Sequence, residues 1–141
     1  MFKLIKILNS GVNVPEPELL PCDFSFDVDA GCCVIFDHVR HLISVGDQTE
    51  PPTHILIQNA KKDDKTILCY RISPDMIFET PLIGSPAAIH AGMTVEFTLK
   101  DGLTAYAASD IAGGPAVIYS LEGATKSGDT ILVTLKTPSD I

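Results

Sequence analysis

Ala30-Gly31-Cys32-Cys33-Val34-Ile35-Phe36 and Ala91-Gly92-Met93-Thr94-Val95-Glu96-Phe97 share one pattern, and its recurrence decides the fold class. Each stretch opens on Ala-Gly, runs into alternating apolar positions and ends on a phenylalanine. Six residues later comes a leucine, Leu42 or Leu103. Further on, Asn59-Ala60 aligns with Gly123-Ala124, and Thr66-Ile67-Leu68 with Thr130-Ile131-Leu132. The offset is 61 residues in the first stretch and 64 in the second. Self-similarity at a nearly fixed spacing marks a repeated supersecondary unit. The expectation is a single compact all-β domain, barrel- or sandwich-like, over residues 1–141. It contains two strand units, 30–72 and 91–136, related by an internal twofold arrangement.

The rest of the chain fits around these units. Residues 2–8 read as an edge or pairing strand. Residues 9–21 carry Pro15, Pro17 and Pro21, each of which removes a backbone donor. With the first strand they form an extended N-terminal arm, 1–21. Cys22, Phe24, Phe26 and Val28 alternate with polar residues and are expected to share one strand face. Between the units, Met76-Ile77-Phe78 is a brief strand set between proline-bearing loops. Asp101-Gly102 supplies the positive φ angles of a two-residue hairpin turn. No helix is secure; residues 104–112, with three alanines, would tolerate one turn.

Composition narrows the function classes. Hydrophobic residues make up 45% of the chain, with ten glycines, ten prolines and no tryptophan. Gly and Pro scattered between short apolar runs suit an all-β domain. The net charge of −8 disfavours a nucleic-acid surface, which is bound through Lys and Arg. No apolar run approaches the ~20 residues of a membrane-spanning helix. Lys6 interrupts the apolar start, so it is read as a strand rather than a signal peptide. Synthesis and retention in a cytoplasm, with reduced cysteines, are expected.

Candidate chemistry is sparse. Cys22, Cys32, Cys33, His38 and His41 are the residue types that ligate zinc. Their spacing lacks Cys-x-x-Cys, and adjacent Cys32 and Cys33 on a strand point to opposite faces. They align with Met93 and Thr94, which are not zinc ligands, so no metal is expected. No Gly-x-Ser-x-Gly elbow is present. Asp23, Asp27, Asp29, Asp37, Asp63 and Asp64 could pair for acid–base work or calcium, but alternation with apolar residues reads as a solvated strand face. Ala112-Gly113-Gly114-Pro115 lacks the Gly-Lys-Ser/Thr ending of a phosphate loop and reads as a turn.

The repeat supplies a sharper clue. In the second unit Val95, Phe97, Ile131, Val133 and Leu135 face inward, and the outward positions are mostly polar. The same register in the first unit turns Cys33, Ile35, Leu68, Tyr70 and Ile72 outward. An apolar outer face needs a cover, from the protein's own arm and its Phe24–Phe26 strand or from another chain.

Three segments carry a family resemblance: Ala91-Gly92-Met93-Thr94-Val95, then Gly102-Leu103-Thr104, then Ser127-Gly128-Asp129-Thr130-Ile131-Leu132-Val133-Thr134-Leu135. With the opening Asn9-Ser10-Gly11-x-Asn13-Val14-Pro15-Glu16-Pro17, the pattern resembles small phage head-decoration, or capsid cement, proteins. The first copy departs at His41, where the second has Gly102, and at Cys32-Cys33. The resemblance implies a non-enzymatic structural protein on the virion head surface, with no cofactor. Its partners would be the capsid protein and sister copies, and family members are often trimeric. Val12, Val14, Leu19 and Leu20 of the arm, and Cys33, Ile35, Tyr70 and Ile72 of the apolar face, are the expected contact residues. A reading from a different class is a small β-barrel ligand- or metal-binding module of bacterial origin. A hydrolytic enzyme is a third.

Overall fold

A computed structural model describes residues 2–7, 16–45, 51–95, 97–100, 103–107 and 115–136. Among these residues the fold is all-β, with a single 3-10 turn at Pro86–Ala88 and no α-helix. The strands are β1 (Lys3–Ile7), β2 (Glu18–Pro21), β3 (Cys33–Asp37), β4 (Leu42–Ser44), β5 (His54–Leu56) and β6 (Thr66–Arg71). Then follow β7 (Met76–Ile83), β8 (Thr94–Val95), β9 (Phe97–Lys100), β10 (Leu103–Ala107), β11 (Ala116–Ser120) and β12 (Thr130–Leu135). They form a five-stranded sheet, β2-β6-β5-β3-β4, and a seven-stranded sheet, β8-β11-β12-β7-β10-β9, to which β1 adds by pairing with β7. The result is a compact sandwich rather than a closed barrel.

The segment read as a brief strand at 76–78 is the longest strand of the fold. β7 pairs antiparallel with β12, from Ile77↔Thr134 to Pro81↔Thr130. It also pairs with β1, from Met76↔Ile7 to Glu79↔Lys3, and in parallel with β10 at Leu82 and Ile83. Pro81 made the sequence look like a loop, because a proline usually confines a strand to an edge. Here its position needs no donated ladder bond, and the strand continues through it.

The two halves share one hydrogen-bonding plan. Cys33↔Ile55 and Val34↔His54 in the first half match Thr94↔Val117 and Val95↔Ala116 in the second. His54↔Arg71, Ile55↔Tyr70 and Leu56↔Cys69 match Ala116↔Leu135, Val117↔Thr134 and Ile118↔Val133. The turns agree as well: Gly31 N–H donates to the Leu56 carbonyl, and Gly92 N–H to the Ile118 carbonyl, both at 2.8 Å. Gly31 and Gly92 have φ of 89° and 93°, a region open to glycine at little cost. At the β3–β4 turn His41 takes φ 55°; Gly102, its counterpart, lies outside the described residues.

The plan reaches further than the sequence match. β2 pairs with β6 through Pro21↔Thr66 and Glu18↔Cys69, and β7 pairs with β12 through Pro81↔Thr130 and Phe78↔Val133. Cys22 N–H donates to the Lys65 carbonyl, as Leu82 N–H does to that of Asp129. An isolated parallel bridge joins Cys22 to Ile43 where β10 pairs in parallel with Leu82. So Glu18-Leu19-Leu20-Pro21 occupies the place in the first half that Phe78-Glu79-Thr80-Pro81 occupies in the second. Of the N-terminal segment, the described parts are built into the two sheets, β1 on β7 and β2 on β6; residues 8–15 of the expected arm lie outside the described residues. The Cys22–Val28 segment is also not a strand: Cys22, Phe24 and Val28 are buried, but Phe26 is exposed, because the chain bends at Ser25 and Phe26 and leaves the sheet plane.

Two buried clusters form. One holds Cys22, Phe24, Val28, Cys32, Val34, Ile43, Leu56, Ala60, Ile67 and Cys69. The other joins Phe78, Val95, Ile118, Ile131, Val133 and Leu135 of the second half to Phe2 and to Cys33, Ile55 and Ile72 of the first. The inward alternation of Ile131, Val133 and Leu135 appears directly in their burial. Of the apolar outer face of the first half, Cys33 and Ile72 are buried in this cluster with the second half and Tyr70 packs against it, while Ile35 and Leu68 are half-buried.

Phe78 is fully buried and meets Phe2 edge-to-face at 6.2 Å. Phe78→Ala should cost about 3–5 kcal/mol, read from the chemical denaturation midpoint, whereas Val39→Ala at a fully solvated turn should shift it by less than about 0.5 kcal/mol. Deleting residues 1–21 removes β1 and β2 together, and the truncated chain should lose its cooperative thermal transition by circular dichroism.

Candidate functional site

The equivalence of β2 and β7 exposes a difference at one end of the first half. In the second half the inward side chains there are Phe78, Ala116 and Leu135, all buried. The corresponding positions in the first half are Glu18, His54 and Arg71. An apolar core end has been replaced by a polar one.

These three side chains are organised. His54 is 4% exposed, and its Nε2 lies 3.1 Å from Glu18 Oε2. Glu18 Oε1 is 3.3 Å from Arg71 Nη2. On the other side of the imidazole, Thr53 Oγ1 is 2.8 Å from Nδ1, and the same oxygen accepts the Phe36 N–H at 2.7 Å. One tautomer satisfies the chain of bonds: Thr53 donates to Nδ1, and the Nε2 proton goes to Glu18. The order hydroxyl, imidazole, carboxylate occurs in nucleophilic hydrolases. Here the Thr53 oxygen is already held by a strand amide and Arg71 neutralises the carboxylate, so the row works as a brace between β2, β3, β5 and β6. Burial holds the His54 pKa below its ordinary value, Glu18 opposes that shift, and the Arg71 charge adds to it.

Beside the brace lies a cavity of about 360 Å³, lined by Leu20, Phe36, His38, Thr53, His54, Arg71 and Ile72. Phe36 stacks edge-to-face with His38 at 4.9 Å. The exposed lining is largely apolar, with His54 and Arg71 among the residues that bound it. A neutral, apolar group with a single polar atom fits this lining; a bare charge would be desolvated without a free counter-charge.

The expected contact residues separate. Leu19 is 63% exposed. Leu20 is half-buried, packing on the first-half cluster and lining the cavity. Ile35 and Tyr70 are half-buried. Cys33 and Ile72 are buried against the second half, which corrects their reading as partner-facing: the cover they need is supplied within the chain. Val12 and Val14 lie outside the described residues. Of the zinc-type residues, Cys22 and Cys32 are buried in one cluster, Cys33 belongs to the other, and His38 and His41 are exposed. Among the described residues no three His, Cys, Asp or Glu side chains are grouped to hold a metal. The aspartates brace turns. Asp37 accepts the Val39 and Arg40 amides, which lowers its pKa, and Asp129 does the same with Thr125 and Lys126. Sequence reading missed Glu18, His54 and Arg71. The available signal was their mismatch with Phe78, Ala116 and Leu135, which becomes visible once the β2–β7 equivalence is known.

No protein-family model matches the sequence, and no curated protein does either. The fold is similar to that of a solved structure, the head fiber gp8.5 N base of bacteriophage phi29. The TM-score is 0.52 with 14% sequence identity, over 86% of this chain and 95% of that one. At this identity the likeness is one of fold.

The sign of the His54 shift fixes a pH dependence. A histidine with a depressed folded pKa binds fewer protons folded than unfolded, so stability is full above the unfolded value of 6.5 and declines as pH falls through it toward the folded pKa. The melting temperature should therefore drop between pH 7.5 and 5, and the slope should be shallower in His54→Gln.

Proposed function

We propose that this protein is a structural component of a phage head that binds the outside of the assembled shell and reinforces it. The observation that carries the reading is the shared fold with the phi29 head fiber base, over nearly the whole of both chains. The sequence resemblance to head-decoration proteins rests on different evidence and favours the same setting. The physical design suits the role. A sandwich of two matching halves that share one of its two core clusters offers a rigid platform, and Leu19, Val39 and Tyr119 leave apolar groups at its surface. Weak single contacts suffice on a shell, because repeated sites raise the effective concentration. The acidic balance of −8 keeps free copies apart and directs attachment toward a neutral or basic protein surface.

Sedimentation tests this. Purified protein mixed with empty heads of the phage or prophage that carries its gene should pellet with them at a fixed number of copies per shell, and should raise the temperature at which the heads rupture. Failure to pellet with either expanded or unexpanded heads would overturn the reading. Replacing the charged tip Lys61–Lys65, which is mostly solvent-exposed, should leave attachment within about twofold.

A further inference from the structure

Three departures from the apolar pattern of the second half converge beside one cavity. Glu18, His54 and Arg71 stand where the second half has Phe78, Ala116 and Leu135, all buried. His54 and Arg71 border the cavity of about 360 Å³, and Glu18 ties the two together. Polar groups at a core end cost desolvation, and packing alone would favour the apolar set. Cavities of about 300–1,000 Å³ that join apolar walls to a few convergent polar groups are the common form of a small-molecule site.

The lining selects by shape and by charge. The Phe36 ring lies 4.9 Å from that of His38, at 71°, and 6.3 Å from that of His54, at 52°. Rings attract one another at such separations, and the cluster offers an entering ring further contacts of the same kind. Leu20 and Ile72 add branched aliphatic surface. The polar capacity is narrow. Both nitrogens of His54 are engaged, by Glu18 and by Thr53, and the Thr53 oxygen also accepts the Phe36 amide. Burial holds the His54 pKa below its ordinary value of 6.5, so the imidazole is neutral at pH 7. Arg71 differs. A guanidinium carries five N–H donors; here Nη2 meets Glu18 at 3.3 Å, and the side chain is 72% exposed. It keeps donors for a guest, while Glu18 balances its charge.

We propose that this cavity binds a small uncharged aromatic molecule bearing one hydrogen-bond acceptor, of the class of aryl ketones and aryl amides. Its ring packs on Phe36 and His38 and against Leu20 and Ile72, and its oxygen accepts an N–H from Arg71. The charges already present exclude ions. An anion would draw Arg71 from Glu18 and leave that carboxylate beside a neutral imidazole with no cation. A cation would meet Arg71 and find Glu18 engaged. In both cases a charge is desolvated without a counter-charge of its own. A saturated ring of the same size fills the space but forfeits the ring contacts. The site is independent of head attachment, and free protein suffices to test it.

Three probes of similar size separate these contributions. Acetophenone carries the ring and the acceptor, cyclohexyl methyl ketone keeps the acceptor without the aromatic ring, and benzoate keeps the ring and adds a charge. Each is titrated into isotope-labelled full-length protein near neutral pH and followed by backbone amide chemical shifts. For acetophenone, saturable shifts at Leu20, Phe36, Thr53 and Arg71 are expected, with a dissociation constant of about 1 mM or tighter. Cyclohexyl methyl ketone should bind about fivefold more weakly and benzoate about tenfold. Leu20→Trp fills the cavity from β2 and should abolish the acetophenone shifts. His38→Ala, at an exposed turn, removes one ring and should weaken acetophenone about threefold, with an unchanged melting curve; it decides the matter should Leu20→Trp fail to fold. Acetophenone shifts that do not saturate, that centre elsewhere, or that persist in folded Leu20→Trp overturn the site, as does equal binding in His38→Ala. Benzoate or cyclohexyl methyl ketone binding as tightly as acetophenone overturns the ligand class.

Discussion

Met76–Ile83 is hydrogen-bonded on both edges, and the first three of its side chains are buried. This double demand organises the molecule. A strand in the middle of a sheet must pair all its alternate amides and carbonyls, because an unpaired buried group forfeits a hydrogen bond to water with nothing in return. β12 satisfies one edge. The other needs two partners of opposite direction, β1 at the start and β10 at the end. The N-terminal segment is therefore a structural strand by necessity, and Phe2 is drawn into the core with it.

The same strand brings the halves together. Phe78 faces a cluster in which residues of the second half mix with Cys33, Ile55 and Ile72 from the outer face of the first. An apolar outer face on one half and a shared core are thus one feature seen from two sides. A domain of 141 residues built from two units of this size has little core to spare in either, and pooling apolar surface between them gives each a more complete interior.

The matching strand pairings of the two halves make the position of the site stand out. Two copies of one hydrogen-bonding plan put equivalent side chains in equivalent places, so a departure from the apolar pattern is conspicuous. Glu18, His54 and Arg71 stand where Phe78, Ala116 and Leu135 close the other core. A buried imidazole costs desolvation, and the Glu18 and Thr53 contacts offset part of that cost. The polar brace stands at one end of the first half, with a cavity beside it.

The sequence by itself determined the class and much of the plan. Alternation in 130–135, the paired Ala-Gly starts and the 61–64 residue offset specify strands, turns and their order, because side-chain periodicity and glycine conformations are local properties. It did not determine β7 or β2. Pro81 shortens the one to a brief strand at 76–78 and Pro21 makes the other read as an extended arm, and the two match at no position but that proline across the stretch where they correspond. Their role follows from which strands lie beside them. Only the tertiary structure decided that Cys33 and Ile72 are covered from within. It also decided that residues as distant in sequence as Glu18, His54 and Arg71 converge, since their meeting depends on β2 pairing with β6 and β6 with β5. Such pairings are set by the global satisfaction of backbone groups and apolar area, which no short window of sequence records.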